Sequence, residues 1–263
     1  HHGTPGSAGL YRAEVEGAER LRLRLLSYSR PGYGGSTPWP GRGIADAATD
    51  VATVMDALGA ERFATYGTSG GGPHALACAA LLPDRCAAAA TIASVAPSDA
   101  PDLDFLADMG EGNVEEFGAA FEGREVLAPL LEDEYAGLKE VSPEQLAEAL
   151  RPFLSDVDAA ALTGELAEHL HASMHAGLDD GVAGWVDDDL AFVGPWGFDV
   201  GAITVPTLIW QGVQDLMVPR THGHWLHEHV SGAEGGILDA EGHLTLFVNR
   251  VGEVQEWLLE RRR

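Results

Sequence analysis

Along the first hundred residues the apolar positions switch repeatedly between two periods. From Leu10 to Arg20 they recur at helical spacing; Leu21, Leu23 and Leu25 then alternate with Arg22 and Arg24 into Leu26-Ser27-Tyr28, the period of a half-exposed strand. Arg30-Pro31-Gly32-Tyr33-Gly34-Gly35-Ser36 is turn chemistry throughout. Ile44 to Leu58 follows as an amphipathic helix, with Val51, Val54, Met55 and Leu58 on one face and Gly59 as its stop. Arg62 to Tyr66 predicts a short strand, Pro73 to Leu82 a helix closed by Pro83, and Ala87 to Val95 a second, wholly apolar strand. Such alternation of strand and helix implies a parallel sheet covered by helices, an α/β fold.

From Pro101 to Val200 the pattern changes to helix after helix: Val114 to Phe121, Glu125 to Leu138, Pro143 to Phe153, Asp158 to His171 and Gly181 to Val193. Strand signals return at Val205 to Trp210 and near Gly236 to Leu238, with helices at Thr221 to Val230 and Val251 to Arg261. The expected organisation is a core made of residues 1–100 and 201–263, interrupted by a helical insertion over 101–200.

Charge sharpens that division. The 263 residues carry a net charge of −25, and 24 acidic residues fall within 101–200 against only Arg124, Lys139 and Arg151. This balance repels phosphate backbones and anionic membrane surfaces, which excludes nucleic acid and membrane surfaces as expected partners. A hydrophobic content of 45% argues against reading the acidity as disorder. The run Asp187-Asp188-Asp189 reads as a solvated helix face. Lys139 is the single lysine, and Ala and Gly are abundant, which fits a GC-rich genome. Cys78 and Cys86 sit in or beside an Ala-rich run and read as small buried residues. They fit a reducing, cytoplasmic location, and no stretch is apolar for long enough to span a bilayer.

Gly67-Thr68-Ser69-Gly70-Gly71 matches G-x-S-x-G, a serine on a tight strand-to-helix turn, and here a strand precedes it and a helix follows. A serine hydroxyl is a weak nucleophile until an imidazole takes its proton, and that imidazole needs an acid to fix its tautomer. On this kind of sheet the chain order is serine, acid, histidine. Asp215 follows the strand Val205 to Trp210, and His243 follows the last predicted strand, so both stand where the order requires; Asp99 is the alternative acid. Two backbone N–H groups must then face the oxyanion. Gly70 supplies one, and Thr4 in His2-Gly3-Thr4-Pro5-Gly6-Ser7 is the candidate for the other, against the reading of His1-His2 as the stub of an expression tag. Trp185, Phe192, Trp196 and Phe198 are candidates for an apolar pocket above Ser69, the alternative being helical core. The groups His169, His171, His175 and His222, His224, His227, His229 have spacings that could hold a metal, but neither carries the glutamate of H-E-x-x-H, so no metal is expected. His74 reads as packing on the helix after Ser69.

Taken together, these motifs resemble the α/β-hydrolase superfamily over nearly the whole chain, with a flavour of actinobacterial hydrolases. His2 to Ser7 resembles the family's His-Gly-x-Pro-Gly oxyanion segment, Arg30 to Ser36 its Pro-Gly-x-Gly-x-Ser loop, and 101–200 its helical cap. The resemblance implies a cofactor-free serine hydrolase acting on a carboxylic ester or related small acyl compound through Ser69, His243 and Asp215. A proline-iminopeptidase-like aminopeptidase and a non-catalytic ligand-binding relative are the rival readings. The acidic insertion favours neutral or cationic substrates, and a homo-oligomer is compatible with the sequence. Family members place two or three strands before the oxyanion loop; the residues here offer none, so the expected sheet lacks an edge strand and one internal strand.

Overall fold

Four parallel strands form the centre of the computed structural model, which describes residues 1–261; the last two residues of the 201–263 segment lie outside the described residues. The strands are β1 (Phe63–Thr68), β2 (Cys86–Ile92), β3 (Thr207–Gly212) and β4 (Glu234–Leu238), hydrogen-bonded side by side in that order. The interior strand β2 is buried at every position, which explains its unbroken apolar sequence: a parallel strand covered on both faces has no solvent side. From Ala88 onward its side chains divide by the two-residue period: Ala88, Ala90 and Ile92 face one apolar cluster with Leu246, Val254 and Leu258, whereas Ala89 faces another with Leu76 and Met55. Cys86 joins Ala89, three positions on, because the register with β1 shifts between the pairs Phe63–Cys86 and Thr65–Ala89.

Those two clusters are the two helical layers. Helices α1 (Arg12–Leu21) and α2 (Asp46–Ala57) precede the sheet, and α3 (Gly72–Leu81) connects β1 to β2. Six helices follow β2: α4 (Glu111–Glu122), α5 (Arg124–Leu138), α6 (Pro143–Leu150), α7 (Asp156–Ala161), α8 (Gly164–Leu178) and α9 (Ala183–Val193). They have a small apolar centre of their own, Leu127, Leu131, Leu178, Val182, Trp185 and Val186, into which Tyr33 of the core inserts. Helix α10 (Arg220–His229) links β3 to β4, and α11 (His243–Arg261) closes the chain. Strands alternating with helices, and an all-helical insertion between β2 and β3, match the pattern read from the hydrophobic periods.

Three local differences have physical causes. Leu21, Leu23 and Leu25 are half-buried and Arg22 and Arg24 exposed, as the alternation predicts, yet 22–28 is not a strand, because no described segment offers it a ladder of donors and acceptors. The stretch expected as one helix from Asp158 to His171 is two, α7 and α8, broken at Leu162 and Thr163; Pro143 to Phe153 likewise ends in a 3₁₀ turn at Arg151–Phe153 around Pro152. Helix α11 begins at His243, eight residues before the expected start, for a reason that belongs to the site. Cys78 and Cys86 are both free and buried, and burial raises both thiols.

Candidate active site

Ser69 sits where β1 turns into α3 through a single 3₁₀ turn, Ser69–Gly71, with its own backbone at φ +54°. A left-handed φ is uncommon for a residue with a Cβ, and it lifts the serine out of the strand to the top of the sheet. The flanking glycines make the turn possible. A Cβ on Gly67 would lie 2.0 Å from the Gly71 carbonyl oxygen, and one on Gly70 would lie 2.4 Å from Thr4 Oγ1 and 2.8 Å from Phe192 Cζ. Thr4 and Phe192 therefore press directly on the residue after Ser69.

The first seven residues cross this turn. The His1 backbone nitrogen donates to Tyr66 O at 2.6 Å and His1 O accepts from Thr68 N at 3.3 Å, which lays the segment alongside β1. A Cβ on Gly3 would stand 3.5 Å from Ser69 Cβ. His2 is neutral, held well below the usual imidazole range by burial and by the Arg30 charge. Its Nδ1–H donates to Gly3 O at 2.7 Å and its Nε2 accepts from Arg30 N at 3.2 Å. His1 and His2 are thus integral to the loop that reaches Ser69.

At the far end of the sheet, Asp215 follows β3 and His243 opens α11. His243 Nδ1–H donates to Asp215 Oδ2 at 2.8 Å, with the two side chains 5% and 0% exposed. Asp215 Oδ2 also accepts from Gln211 Nε2 at 2.8 Å, and Oδ1 accepts from Met217 N at 2.9 Å and Val218 N at 2.8 Å. Such a carboxylate is fully occupied as an acceptor, which fixes the imidazole tautomer and leaves His243 Nε2 to exchange a proton. Burial lowers the His243 pKa, but the Asp215 charge and hydrogen bond, with Asp158 behind them, outweigh it and the net shift is upward. The alternative acid, Asp99, is exposed beyond β2.

Two groups that sequence reasoning missed hold these parts together. Asp158 on α7 is fully buried; its Oδ2 accepts from His243 N at 2.7 Å, and its Oδ1 from Leu244 N and Thr245 N at 2.9 Å each. It caps α11 and fixes the helix start at His243. The second group corrects the reading of Asp187-Asp188-Asp189 as a solvated face: all three are buried, at 1%, 0% and 1% exposure. Asp188 Oδ2 accepts from Arg30 Nη2 at 2.6 Å, Tyr33 Oη at 2.9 Å and Thr4 Oγ1 at 2.6 Å, while Oδ1 accepts from Arg42 Nη2 at 2.6 Å. Burial alone would raise this carboxyl, but the two guanidinium groups hold it well below the usual range. Arg30 also donates to the carbonyls of His2 at 2.6 Å and Gly3 at 3.2 Å, so α9, the Arg30 loop and the loop at Ser69 form one unit. Asp187 pairs with Arg124.

Ser69, Gly70, Thr4, His243, Trp185 and Phe192 all line a cavity of about 930 Å³. The cavity continues along the outer side of β1, past Leu23, Leu25, Tyr28 and Phe63. Trp196 and Phe198 do not line it: Trp196 donates its Nε1–H to Phe192 O at 3.4 Å and the two aromatics pack into the main core. His74 is buried on α3 with Nδ1 2.8 Å from Gly70 O, and burial lowers its pKa well below the usual range. His222 spends both ring nitrogens on the backbones of Ala96 and Phe105, and no group of three His, Cys, Asp or Glu side chains among the described residues forms a metal cage.

A serine on a strand-to-helix turn, with a buried histidine–aspartate pair beyond the last two strands, is the arrangement of an α/β-fold hydrolase. The chain belongs to the alpha/beta hydrolase fold family, whose sequence model matches residues 1–249. It is 25% identical over 239 residues to the "Uncharacterized hydrolase YcgS" of Bacillus subtilis (strain 168), spanning 89% of this chain and 80% of that protein. Among solved structures it is similar to a thermophilic esterase from Thermogutta terrifontis, with a TM-score of 0.70 and 22% identity over 100% of this chain and 89% of that one. It is also similar to an alpha/beta hydrolase fold protein from Nakamurella multipartita, with a TM-score of 0.61 and 27% identity over 99% and 90% of the two chains.

Proposed function

We propose that the protein is a serine hydrolase of carboxylic esters or related acyl compounds, working through an acyl-enzyme. The observation that carries the reading is the buried His243–Asp215 bond of 2.8 Å opening on the same cavity as Ser69. In this mechanism His243 Nε2 takes the Ser69 proton as Oγ attacks the substrate carbonyl. Asp215 holds the ring and stabilises the imidazolium. The backbone N–H groups of Gly70 and Thr4 receive the oxyanion, where one donor is worth about 2.7–4 kcal/mol of transition-state stabilisation. His243 then protonates the leaving alcohol, and water, activated in the same way, releases the acid.

Helices α4–α9 serve as a cap over this site, which fits Trp185 and Phe192 facing the reacting end of the cavity. A short-chain p-nitrophenyl ester and a prolyl-arylamide separate the candidate activities. The expected result is ester turnover that disappears in Ser69→Ala. Turnover of the arylamide alone would reassign the protein to the aminopeptidases, and turnover of neither to a binding role.

A further inference from the structure

The Thr4 N–H, the candidate donor to the oxyanion, belongs to the same peptide unit as the Gly3 carbonyl. Among the described residues that N–H meets no acceptor. The oxygen at the other side of the unit is crowded: Gly3 O accepts from His2 Nδ1–H at 2.7 Å and from Arg30 Nη2 at 3.2 Å. A trans peptide is planar, with its N–H and C=O pointing opposite ways, so donors that fix the oxygen also fix the direction of the N–H. A cationic donor on the oxygen further polarises the unit and strengthens the N–H as a donor.

Arg30 commands this arrangement. Its side chain is 1% exposed; Nη1 donates to His2 O at 2.6 Å, and Nη2 donates to Thr4 Oγ1 at 3.0 Å as well as to Gly3 O. Its backbone N–H donates to His2 Nε2 at 3.2 Å, so the ring that supplies the other donor to Gly3 O is also set by Arg30. Asp188 in turn fixes the guanidinium, accepting from Nη2 at 2.6 Å and from Nε at 3.2 Å, and it accepts from the Thr4 hydroxyl at 2.6 Å. Both donors on the Gly3 carbonyl thus trace back to Arg30, and Arg30 to Asp188.

Charge acts in the same sense. Arg30 and Arg42 bring two buried positive charges to the single carboxylate that they share. A surplus of positive charge behind the loop favours negative charge in front of it, at the Ser69 end of the cavity. Thr4 also packs directly on Gly70, which leaves little room for the Gly3–Thr4 peptide to tilt.

We propose that Arg30, anchored by Asp188, is a positioning residue for the oxyanion: through the Gly3 carbonyl it orients and polarises the Thr4 N–H. This role presupposes the hydrolase reading. Its effect falls on the transition state, because a ground-state carbonyl carries no full charge for the polarised donor to meet.

The test is steady-state kinetics of the full chain on a short-chain p-nitrophenyl ester, joined to the affinities of two ketones. A trifluoromethyl ketone forms a tetrahedral adduct with a serine, and the matching methyl ketone resembles the ground state. Arg30→Lys keeps the charge but not the fork that spans Asp188 and the two carbonyls. Its kcat should fall at least thirtyfold, within reach of the roughly 10²–10³ that a lost oxyanion donor costs, while KM stays within threefold. The trifluoromethyl ketone should weaken by the same factor as kcat/KM and the methyl ketone should not. Asp188→Asn should repeat this split. Thr4→Val, which loses the hydroxyl bonded to Asp188 and Arg30, should lower kcat at least fivefold, and Thr4→Ser should recover most of that loss. If the unaltered chain turns over the ester, a kcat of Arg30→Lys within threefold of it, or equal weakening of both ketones, overturns the positioning role alone. Should Arg30→Lys not fold, as read from its thermal midpoint, Thr4→Val decides, and an unchanged kcat there overturns the role. The same split in Arg124→Gln, which breaks the other ion pair of α9, also overturns it by assigning the effect to the packing of that helix. An unaltered chain without ester turnover removes the hydrolase reading and this role with it.

Discussion

At the scale of single residues, the site is governed by how burial and charge compete on each titratable group. His243 loses hydration on folding but gains Asp215 at 2.8 Å and the Asp158 charge, and the gain wins. A folded-state pKa above the reference of 6.5 means that its contribution to stability is present below that value and fades as pH rises through the folded pKa. The proposed mechanism needs the neutral ring, so on that proposal the acid limb of kcat/KM for ester hydrolysis should have its midpoint above 6.5. Asp215→Asn removes the charge that raises this pKa. Its limb should move to lower pH and its kcat should fall by about 10³–10⁴, the cost of a misdirected tautomer. Full pH profiles of both proteins check the two effects; an unmoved limb would contradict the role given to Asp215. The places of the candidates Ser69, Asp215 and His243 just beyond strand ends were legible in the sequence because each lies in a short segment tied to the end of a strand. Asp188 and Arg30 were not. They are 158 positions apart, and a run of three aspartates looks the same whether it meets water or two buried guanidinium groups.

Elements show the same divide between local and distant causes. β2, α3 and α9 lie close to where their periodicity puts them, because their boundaries are set by glycine, proline and apolar runs within the element. The start of α11 does not, since its cap comes from Asp158, 85 positions away. Leu21 to Tyr28 fails in the opposite sense: the alternation is correct, but a strand exists only beside another strand. The capping role makes a quantitative prediction. Asp158→Ala leaves three backbone N–H groups at the head of α11 without their acceptor, and should lower stability by about 1–3 kcal/mol in urea titration. It should also reduce ester turnover, because α11 carries His243 on its first residue. A variant as stable and as active as the parent would show that α11 holds its start by other means.

For the whole molecule, the fold places its reactive parts on opposite elements and then ties them through the helical insertion. Asp158 of α7 holds the His243 end, and Asp188 of α9 holds Thr4 and Arg30 at the Ser69 end. The insertion that supplies most of the −25 charge therefore contributes more than an acidic surface, for four of its carboxyls are buried at the two ends of the site. A sheet core and a helical insertion joined by buried charge should move little relative to one another, and the loop at Ser69 should be held in place before any ligand arrives. The most direct measurement of the central claim is labelling with a fluorophosphonate followed by mass spectrometry of the labelled peptide. The account predicts one adduct, on Ser69, formed in the intact protein, absent from Ser69→Ala and strongly slowed in His243→Ala. No adduct, or one on another residue that survives Ser69→Ala, would contradict it.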